Sequence, residues 1–360
     1  MSDAGMKVLA LLTDGFGAAG GIARYNQDFI TALAVSPAVR AVSALPRHGA
    51  AQAETPARVA QHAPAGRVAW SAHALRLAAS ERFDVVFCGH LRAAPLAAAV
   101  AGLARAPLWL QAHGVEAWAR PGAAVRRAAA RAALVTCVSR RTRERLLRWC
   151  DIEPARVCVL PNTLGARFTP GPASRAARER LGLGDAAVIL TVGRLDSAER
   201  YKGHDRVIAA LPRILRDRPD ALYVVAGEGG DRARLERLAR DANVAGRVRF
   251  VGRVADDDLP DLYRAARVFA MPSEGEGFGI VFLEAAACGA AVVAGAGDGA
   301  ADALADGAFG VRVDPHDQAA LAAAVLAGLN GAGRDGTGAA QRFAFSRFAQ
   351  HVDHLVTHRI

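Results

Sequence analysis

Short apolar runs alternate along the chain with longer stretches whose apolar positions recur every three to four residues. Val8 to Thr13 precedes a helical period from about Ile22 to Ala34, and Val39 to Leu45 follows it. Val85 to Cys88 precedes Ala93 to Ala104, and Leu108 to Ala112 and Leu134 to Val138 close the series. Strand-length runs separated by helical periods predict βα units around a parallel sheet. The pattern restarts after Leu160 to Pro172, where three prolines and two glycines predict an interdomain linker. Val188 to Val192 is followed by a helix near Asp205 to Arg216, Leu222 to Ala226 by Asp231 to Ala242, and Val248 to Val251 by Leu259 to Ala266. Val268 to Met271 then leads into Ile280 to Cys288, and Ala291 to Ala294 ends the series. Two doubly wound α/β domains facing each other are expected, residues 1–165 and 166–340. Residues 341–360, where Ala340 to Val356 has a helical period, are expected to pack back on the first domain. Ligands of such sheets bind at the carboxyl ends of the strands, which puts the expected site in a cleft between the domains.

Composition changes the picture in three ways. The chain has 360 residues, 52% of them hydrophobic, and 36 glycines, enough for two sizeable cores. It has no charge-free apolar run of membrane-spanning length, and the apolar stretch from Lys7 to Thr13 is a strand and not a signal peptide, so a cytoplasmic protein is expected. Cys88, Cys137, Cys150, Cys158 and Cys288 form no C-x-x-C pair and have no histidine partners at metal spacing, which predicts reduced packing thiols and no metal site. The net charge of +10 lies wholly in the first half: residues 1–165 hold 20 basic and 10 acidic side chains, residues 166–360 hold 25 of each. Arg126, Arg127, Arg131, Arg140, Arg141, Arg143, Arg145 and Arg148 face only Glu144 in that stretch. Such a surface attracts phosphate or an anionic membrane. Nucleic acid is not expected, because aromatics are few there and no nucleic-acid motif is present.

Candidate chemistry concentrates in Met271 to Gly289, which sets Glu276 and Glu284 around Gly277-Phe278-Gly279 at the start of an apolar helix. Glycines let the backbone approach a ligand, helix-start N–H groups suit anionic or oxygen-rich groups, and the two carboxylates can accept hydrogen bonds from sugar or ribose hydroxyls. Arg194, at a strand end, and Lys202, in the following loop, add a planar fork and a compact charge, a combination suited to a diphosphate. The chain has only two lysines, Lys7 and Lys202, so a lysine in that loop stands out. His113-Gly114 puts an imidazole at another strand end. Two patterns point elsewhere. Gly15-Phe16-Gly17-Ala18-Ala19-Gly20 fits G-x-G-x-x-G, but the next strand ends in Pro46-Arg47-His48, with no acid for a ribose diol. A flexible loop ending at Gly20-Gly21 and leading into a helix from Ile22 fits better. Asp256-Asp257-Asp258 resembles a metal-holding acid group, but it directly precedes Leu259-Pro260, where helix capping is the better fit.

Gly20-Gly21-Ile22, His113-Gly114, Val138-Ser139, Leu160-Pro161-Asn162, Val192-Gly193-Arg194 with Lys202-Gly203, Val225-Ala226-Gly227-Glu228-Gly229, Phe250-Val251-Gly252, the Glu276 to Glu284 block, and Asp306-Gly307 with Asp314-Pro315 together resemble the retaining glycosyltransferases of family 4. The resemblance covers nearly the whole chain and is strongest over residues 186–318. It implies the GT-B fold, two facing Rossmann-like domains with an interdomain cleft, the second holding a nucleotide sugar. By position it implies that Arg194 and Lys202 hold the donor diphosphate in place of a metal ion. Glu276 and the backbone of Gly277, Phe278 and Gly279 would hold the sugar, and Glu284 the ribose. Val251, Arg253 and Val254 would flank the base, Gly21 would lie against phosphates or acceptor, and His113 would approach the reacting carbon.

The implied activity is transfer of a hexose, from GDP-mannose or UDP-glucose, to a glycan or polyprenyl-diphosphate-linked acceptor in bacterial surface polysaccharide synthesis. No cofactor beyond the nucleotide sugar is implied, and the basic first domain adds peripheral contact with the inner face of the cytoplasmic membrane. A nucleotide-sugar epimerase of the same architecture is the alternative, and a non-catalytic sugar-nucleotide binding module a further one. A retaining glycoside hydrolase would use two carboxylates but leaves the cationic loop unexplained. Ala291 stands where the family has proline after Cys-Gly, and Gly297-Asp298-Gly299-Ala300 is rich in small residues. Both features put the rigidity of that loop in doubt.

Overall fold

The computed structural model describes residues 5–50, 53–63, 66–332 and 337–360. The chain divides into two units: residues 1–163 with 345–360, and residues 164–344. Each is built on a wholly parallel sheet.

Among the described residues the first unit has seven strands: β1 (Met6–Asp14), β2 (Val39–His48), β3 (Val59–Gln61), β4 (Val85–Cys88), β5 (Leu108–Ala112), β6 (Leu134–Cys137) and β7 (Val157–Val159), in the order β3-β2-β1-β4-β5-β6-β7. The central strands are apolar on both faces because helices cover both sides, as parallel sheets require. Leu9 to Leu11 are fully buried, and Leu9 lies opposite Ser43 on one side and Val86 on the other. Helix Gly21–Val35 buries Tyr25, Phe29, Ile30 and Leu33, one helical stripe, and stops at Ser36, which is extended ahead of Pro37. Phe29 stacks on Phe87 at 4.1 Å and meets Trp109 edge-on at 5.0 Å, contacts worth about 0.5–1.5 kcal/mol each beyond their buried area.

Among its described residues the second unit has six strands: β8 (Ala187–Val192), β9 (Ala221–Ala226), β10 (Val248–Gly252), β11 (Ala266–Met271), β12 (Ala291–Gly295) and β13 (Val311–Val313), in the order β10-β9-β8-β11-β12-β13. Helix His204–Asp217 buries Val207, Ile208, Leu211 and Ile214 in this core. Strand order reverses between β1 and β4 in one unit and between β8 and β11 in the other. Loops leaving the carboxyl ends of such strand pairs diverge to opposite faces and leave a crevice.

Several sequence expectations change. The boundary falls between Thr163 and Leu164, inside the Pro- and Gly-rich stretch. That stretch is not a free linker: Leu160, Leu164 and Phe168 are buried, and Phe168 meets Tyr263 edge-on at 5.9 Å. The helical period from Ala340 belongs to two helices, Thr337–Arg342 and Phe345–Arg359. The second packs on helix Gly21–Val35 through Phe348 against Tyr25 and through a 2.6 Å hydrogen bond from Ser36 Oγ to Asp353 Oδ1. β3, β7, β13 and helix Gly66–Ser80 have no counterpart in the expected series. Asp258 stands at the N-cap position of helix Leu259–Ala265, but its side chain does not cap it. Arg180 donates to Asp258 Oδ1 at 2.7 Å, and Arg167 lies 3.9 Å from Asp256 and 3.5 Å from Asp257.

All five cysteines are free thiols. Burial pushes Cys150 up to about 11 and Cys88 and Cys288 up to about 12, so they stay protonated at neutral pH. Among the described residues, no helix is long and apolar enough to cross a membrane.

Candidate functional site

In the second unit, the loops after β8 and β11, the two strands at the order reversal, carry Arg194, Lys202 and Glu276. β8 ends at Val192. The loop then makes a tight 3-10 segment, Ser197–Lys202, closed by Gly203 in the left-handed region at φ 79°. A Cβ on Gly203 would stand 2.6 Å from the carbonyl oxygen of Pro272, so glycine lets the two loops meet. They are joined again where Glu274 N–H donates to Tyr201 O at 3.0 Å, and where Gly275 leaves room for the Tyr201 ring.

This seam brings Lys202 Nζ to 2.9 Å from Glu276 Oε1, with both side chains only 14% exposed. Glu199 lies 3.7 Å from Lys202 and pairs with Arg194, whose side chain is 77% exposed. Burial opposes the Lys202 charge, but Glu276 foremost, with Tyr201 and Glu199, outweighs it and holds the ammonium above its ordinary range. Lys202 is therefore a fixed cation at neutral pH, and Arg194 a paired but accessible one. Glu199 lacked any signal in the sequence, since its role depends on where a 3-10 turn points it.

Gly279, at φ 84°, opens helix Ile280–Ala287, and a Cβ there would strike the Phe282 ring at 2.4 Å. Phe278 turns inward, 2% exposed, and meets Phe343 at 5.8 Å, so this segment presents backbone and not the ring. Glu284 is 8% exposed and accepts a 2.8 Å hydrogen bond from the hydroxyl of buried Tyr263. Burial and the Glu284 carboxylate push the Tyr263 phenol well above its ordinary range. Val251 belongs to β10, Arg253 follows it exposed, with its N–H 3.3 Å from Glu228 Oε1, and Val254 is half-buried. Gly227 and Gly229 let the loop after β9 press on the one after β8: a Cβ on either would meet a carbonyl oxygen, of Gly193 at 1.9 Å or of Leu195 at 2.1 Å.

The loop after β12 corrects the expectation of looseness. Asp298, 3% exposed, accepts from Ser273 Oγ at 2.7 Å, from Glu276 N–H at 3.0 Å and from Ala300 N–H at 2.9 Å. Gly299 N–H donates back to Glu276 O at 2.7 Å. Burial raises the Asp298 carboxyl to about 6 despite these bonds. Ala291 sits in regular β12 pairing, opposite Val268.

In the first unit, His113 follows β5 and Gly20-Gly21 follows β1. His113 N–H donates to Glu116 Oε1 at 2.5 Å. Its Nε2 lies 2.8 Å from Gly89 O, a contact that fixes the proton on Nε2 and leaves Nδ1 as an acceptor. Burial is the main cause of its pKa falling to about 4, so the ring is neutral at pH 7. Tyr25 packs edge-on against it at 4.9 Å and donates to Gln111 Oε1 at 2.7 Å, tying helix Gly21–Val35 to β5. Gly20 and Gly21 are exposed, and a Cβ on either would meet nothing within 4 Å among the described residues. The helix begins one residue earlier than expected, at Gly21. The Gly15–Gly20 loop is tied and not loose: Gln61 pairs with both Phe16 N–H (2.9 Å) and Phe16 O (3.1 Å), and Gln27 donates to Gly15 O and Ala18 O at 3.0 Å.

Residues 174–335 match the family model of the glycosyl transferases group 1, and residues 19–164 match that of Glycosyltransferase Family 4. The chain is 40% identical over 210 residues to a GDP-mannose-dependent alpha-(1-6)-phosphatidylinositol monomannoside mannosyltransferase of Mycolicibacterium smegmatis, covering 56% of this chain and 54% of the relative. It is 36% identical over 267 residues to the protein of that name in Mycobacterium tuberculosis, covering 69% and 68%. A D-inositol 3-phosphate glycosyltransferase of Acidothermus cellulolyticus is 41% identical over 184 residues, covering 48% and 40%. The chain thus spans about half the length of the first of these relatives and less of the last.

Among solved structures, Anabaena HepE in complex with UDP and glucose superposes with a TM-score of 0.77 over 98% of this chain and 99% of its own, at 20% identity. Sucrose-phosphate synthase from Thermosynechococcus elongatus gives 0.77 over 98% of both chains at 22% identity. At these identities the likeness establishes the fold.

Proposed function

Because the chain belongs to the group 1 glycosyltransferases and has the GT-B fold, we propose that it moves a hexose from a nucleoside diphosphate sugar to a glycan or lipid-linked acceptor, retaining the anomeric configuration without a metal ion. The carrying observation is the Lys202–Glu276 pair at the β8/β11 reversal. As the bond from the anomeric carbon to the diphosphate breaks, negative charge gathers on the leaving diphosphate and the sugar becomes electron-poor. A positioned cation lowers the barrier most where charge grows, because it needs no reorganisation at that moment. Lys202 is held protonated for this, and Arg194 supplies a bidentate fork beside it.

Glu276 keeps one oxygen on Lys202 and has the other for sugar hydroxyls, and the N–H groups around Gly277 to Gly279 add donors. Glu284 anchors the ribose, with Tyr263 fixing its carboxylate, and Val251, Arg253 and Val254 flank the base. His113, neutral with Nδ1 as acceptor, suits a sugar hydroxyl without adding positive charge near an electron-poor carbon. The exposed amides at Gly21 suit phosphates or the acceptor.

GDP-mannose is the first donor to test, because curated relatives are GDP-mannose-dependent mannosyltransferases, and UDP-glucose the second. The acceptor we favour is polyprenyl-diphosphate-linked or a lipopolysaccharide precursor, met at the inner face of the cytoplasmic membrane, since a basic first unit suits an anionic surface. Thermal shifts against a panel of nucleotide sugars, followed by transfer assays and the anomeric configuration of the product, test the proposal. K202A and E276A are expected to lose about 100- to 1,000-fold in turnover while remaining folded. Unchanged turnover in either variant overturns the site assignment. An epimerised sugar formed from donor alone points instead to the epimerase.

A further inference from the structure

The loop after β12 meets the candidate site at the backbone of Glu276, and it contains a buried carboxylate whose three partners among the described residues are all neutral donors: a hydroxyl and two amides. Taking a carboxylate out of water without a cation is costly, and a hydrogen-bonded neutral side chain would be cheaper at a purely structural position. The donor set accounts for the choice. Ser273 Oγ–H and Glu276 N–H converge on one oxygen, and Ala300 N–H meets the other. An Asn would turn an NH2 group toward one of these donors. Glu276 is gripped from both sides, because its N–H goes to Asp298 and its carbonyl receives Gly299 N–H at 2.7 Å. The two loops are also pressed together. A Cβ on Gly299 would stand 2.0 Å from the carbonyl oxygen of Gly277, and one on Gly295 would stand 1.8 Å from that of Ser273. The backbone of Glu276 is held through both its N–H and its carbonyl, with its carboxylate 2.9 Å from Lys202 Nζ.

We propose that Asp298 is a positioning residue that holds the Ser273–Gly277 backbone so that Glu276 meets both Lys202 and the sugar of a bound donor. It acts on the reacting sugar through Glu276 and does not touch it. The inference rests on the hexosyl-transfer reading of the same site. If Asp298 aligns Glu276, its loss affects the sugar, which Glu276 holds, more than the nucleoside diphosphate.

The test uses D298A, D298N and S273A in the full chain. Three quantities are measured: kcat and KM for the nucleotide sugar, GDP and UDP affinity by calorimetry, and amide hydrogen exchange across residues 273–279. D298A is expected to lower kcat about 10- to 100-fold, the scale of a misplaced reacting group, with KM and diphosphate affinity within threefold. Exchange at Glu276 and Gly277 should accelerate at least about tenfold while exchange in β8 and β11 is unchanged. D298N, which keeps one acceptor oxygen, should recover part of kcat, and S273A should lose only a few-fold. Wild-type kcat and wild-type exchange in D298A overturn the inference. So does a loss shared equally by diphosphate affinity and by exchange throughout the sheet, which would mark general destabilisation. If the wild-type protein turned over no nucleotide sugar, hexosyl transfer would fall, and the exchange contrast would still decide the role of Asp298.

Discussion

His204, the first residue of helix His204–Asp217, is 4% exposed, and its Nε2 has no hydrogen-bond partner among the described residues. Burial, helped by the Lys202 charge, depresses its pKa to about 4. The unfolded chain takes up that proton below its ordinary pKa of about 6.5. Stability from His204 is thus complete at neutral pH and is lost as pH falls from about 6.5 toward 4. At pH 5 the loss is about 2 kcal/mol, from 1.36 kcal/mol per unit. Asp298, raised to about 6, runs the other way, because the folded state gains its proton first as pH falls below 6. In H204Q the His share is gone. Relative to wild type, the variant should therefore gain about 2 kcal/mol between pH 7 and pH 5 in urea unfolding. A wild-type-to-variant difference independent of pH would exclude a neutral buried His204. At this scale the sequence shows what is chemically conspicuous: the scarce Lys202, Arg194 at a strand end, and the Glu276–Glu284 spacing. It does not show Glu199, Tyr263 or Asp298. Common acids and tyrosines become informative only when distant loops are brought against them, and Asp298 stands in a run of small residues that suggests looseness.

The loops of the second sheet are spaced by glycines at contacts where backbone meets backbone. Gly227, Gly229, Gly295 and Gly299 each leave no room for a methyl group beside a carbonyl oxygen of a neighbouring loop, whereas a Cβ on Gly230 would meet nothing within 4 Å. Ala at Gly295 must push Ser273 away and, through it, the segment leading to Glu276. G295A is expected to cost about 1–3 kcal/mol and to reduce turnover, while G230A leaves both unchanged. Thermal melts and transfer rates of the two variants check this, and equal behaviour would refute it. The alternation of apolar runs predicts the βα order because fully buried parallel strands must be apolar throughout. Elements that escape it have physical reasons to do so. β3, β7 and β13 are three residues long and lie at sheet edges. Helix Gly66–Ser80 buries Trp70, Ala74, Leu77 and Ala78, a good helical stripe, but exposed Val68 and Leu75 blur it, and its alanines fit any pattern. The Pro- and Gly-rich stretch misleads for the opposite reason, since Phe168 anchors it in a core.

At the level of the whole molecule, charge is unevenly shared, and the surplus of the first 165 residues is only partly available to a partner. Arg143 donates to Val157 O and Pro154 O, Arg126 to Pro121 O, Arg141 and Arg148 pair with Glu144, and Arg145 lies over Trp118. These fix loops and helix ends. Arg127 and Arg131 are exposed. If the proposed membrane contact is electrostatic, vesicles containing anionic lipid should retain the protein at low salt and release it as salt rises, and neutral vesicles should not. R127E/R131E should weaken retention several-fold. No retention on anionic vesicles at low salt would end the membrane part of the proposal. The chain's route between the units has its own consequence. Residues 164–344 form one uninterrupted segment, whereas residues 345–360 contribute a helix whose Phe348 packs on Tyr25. During synthesis the second unit has all its residues before the first does. The helix that begins at Gly21 must wait for more than three hundred further residues before its covering face exists, so the older half of the nascent chain is the last to become complete.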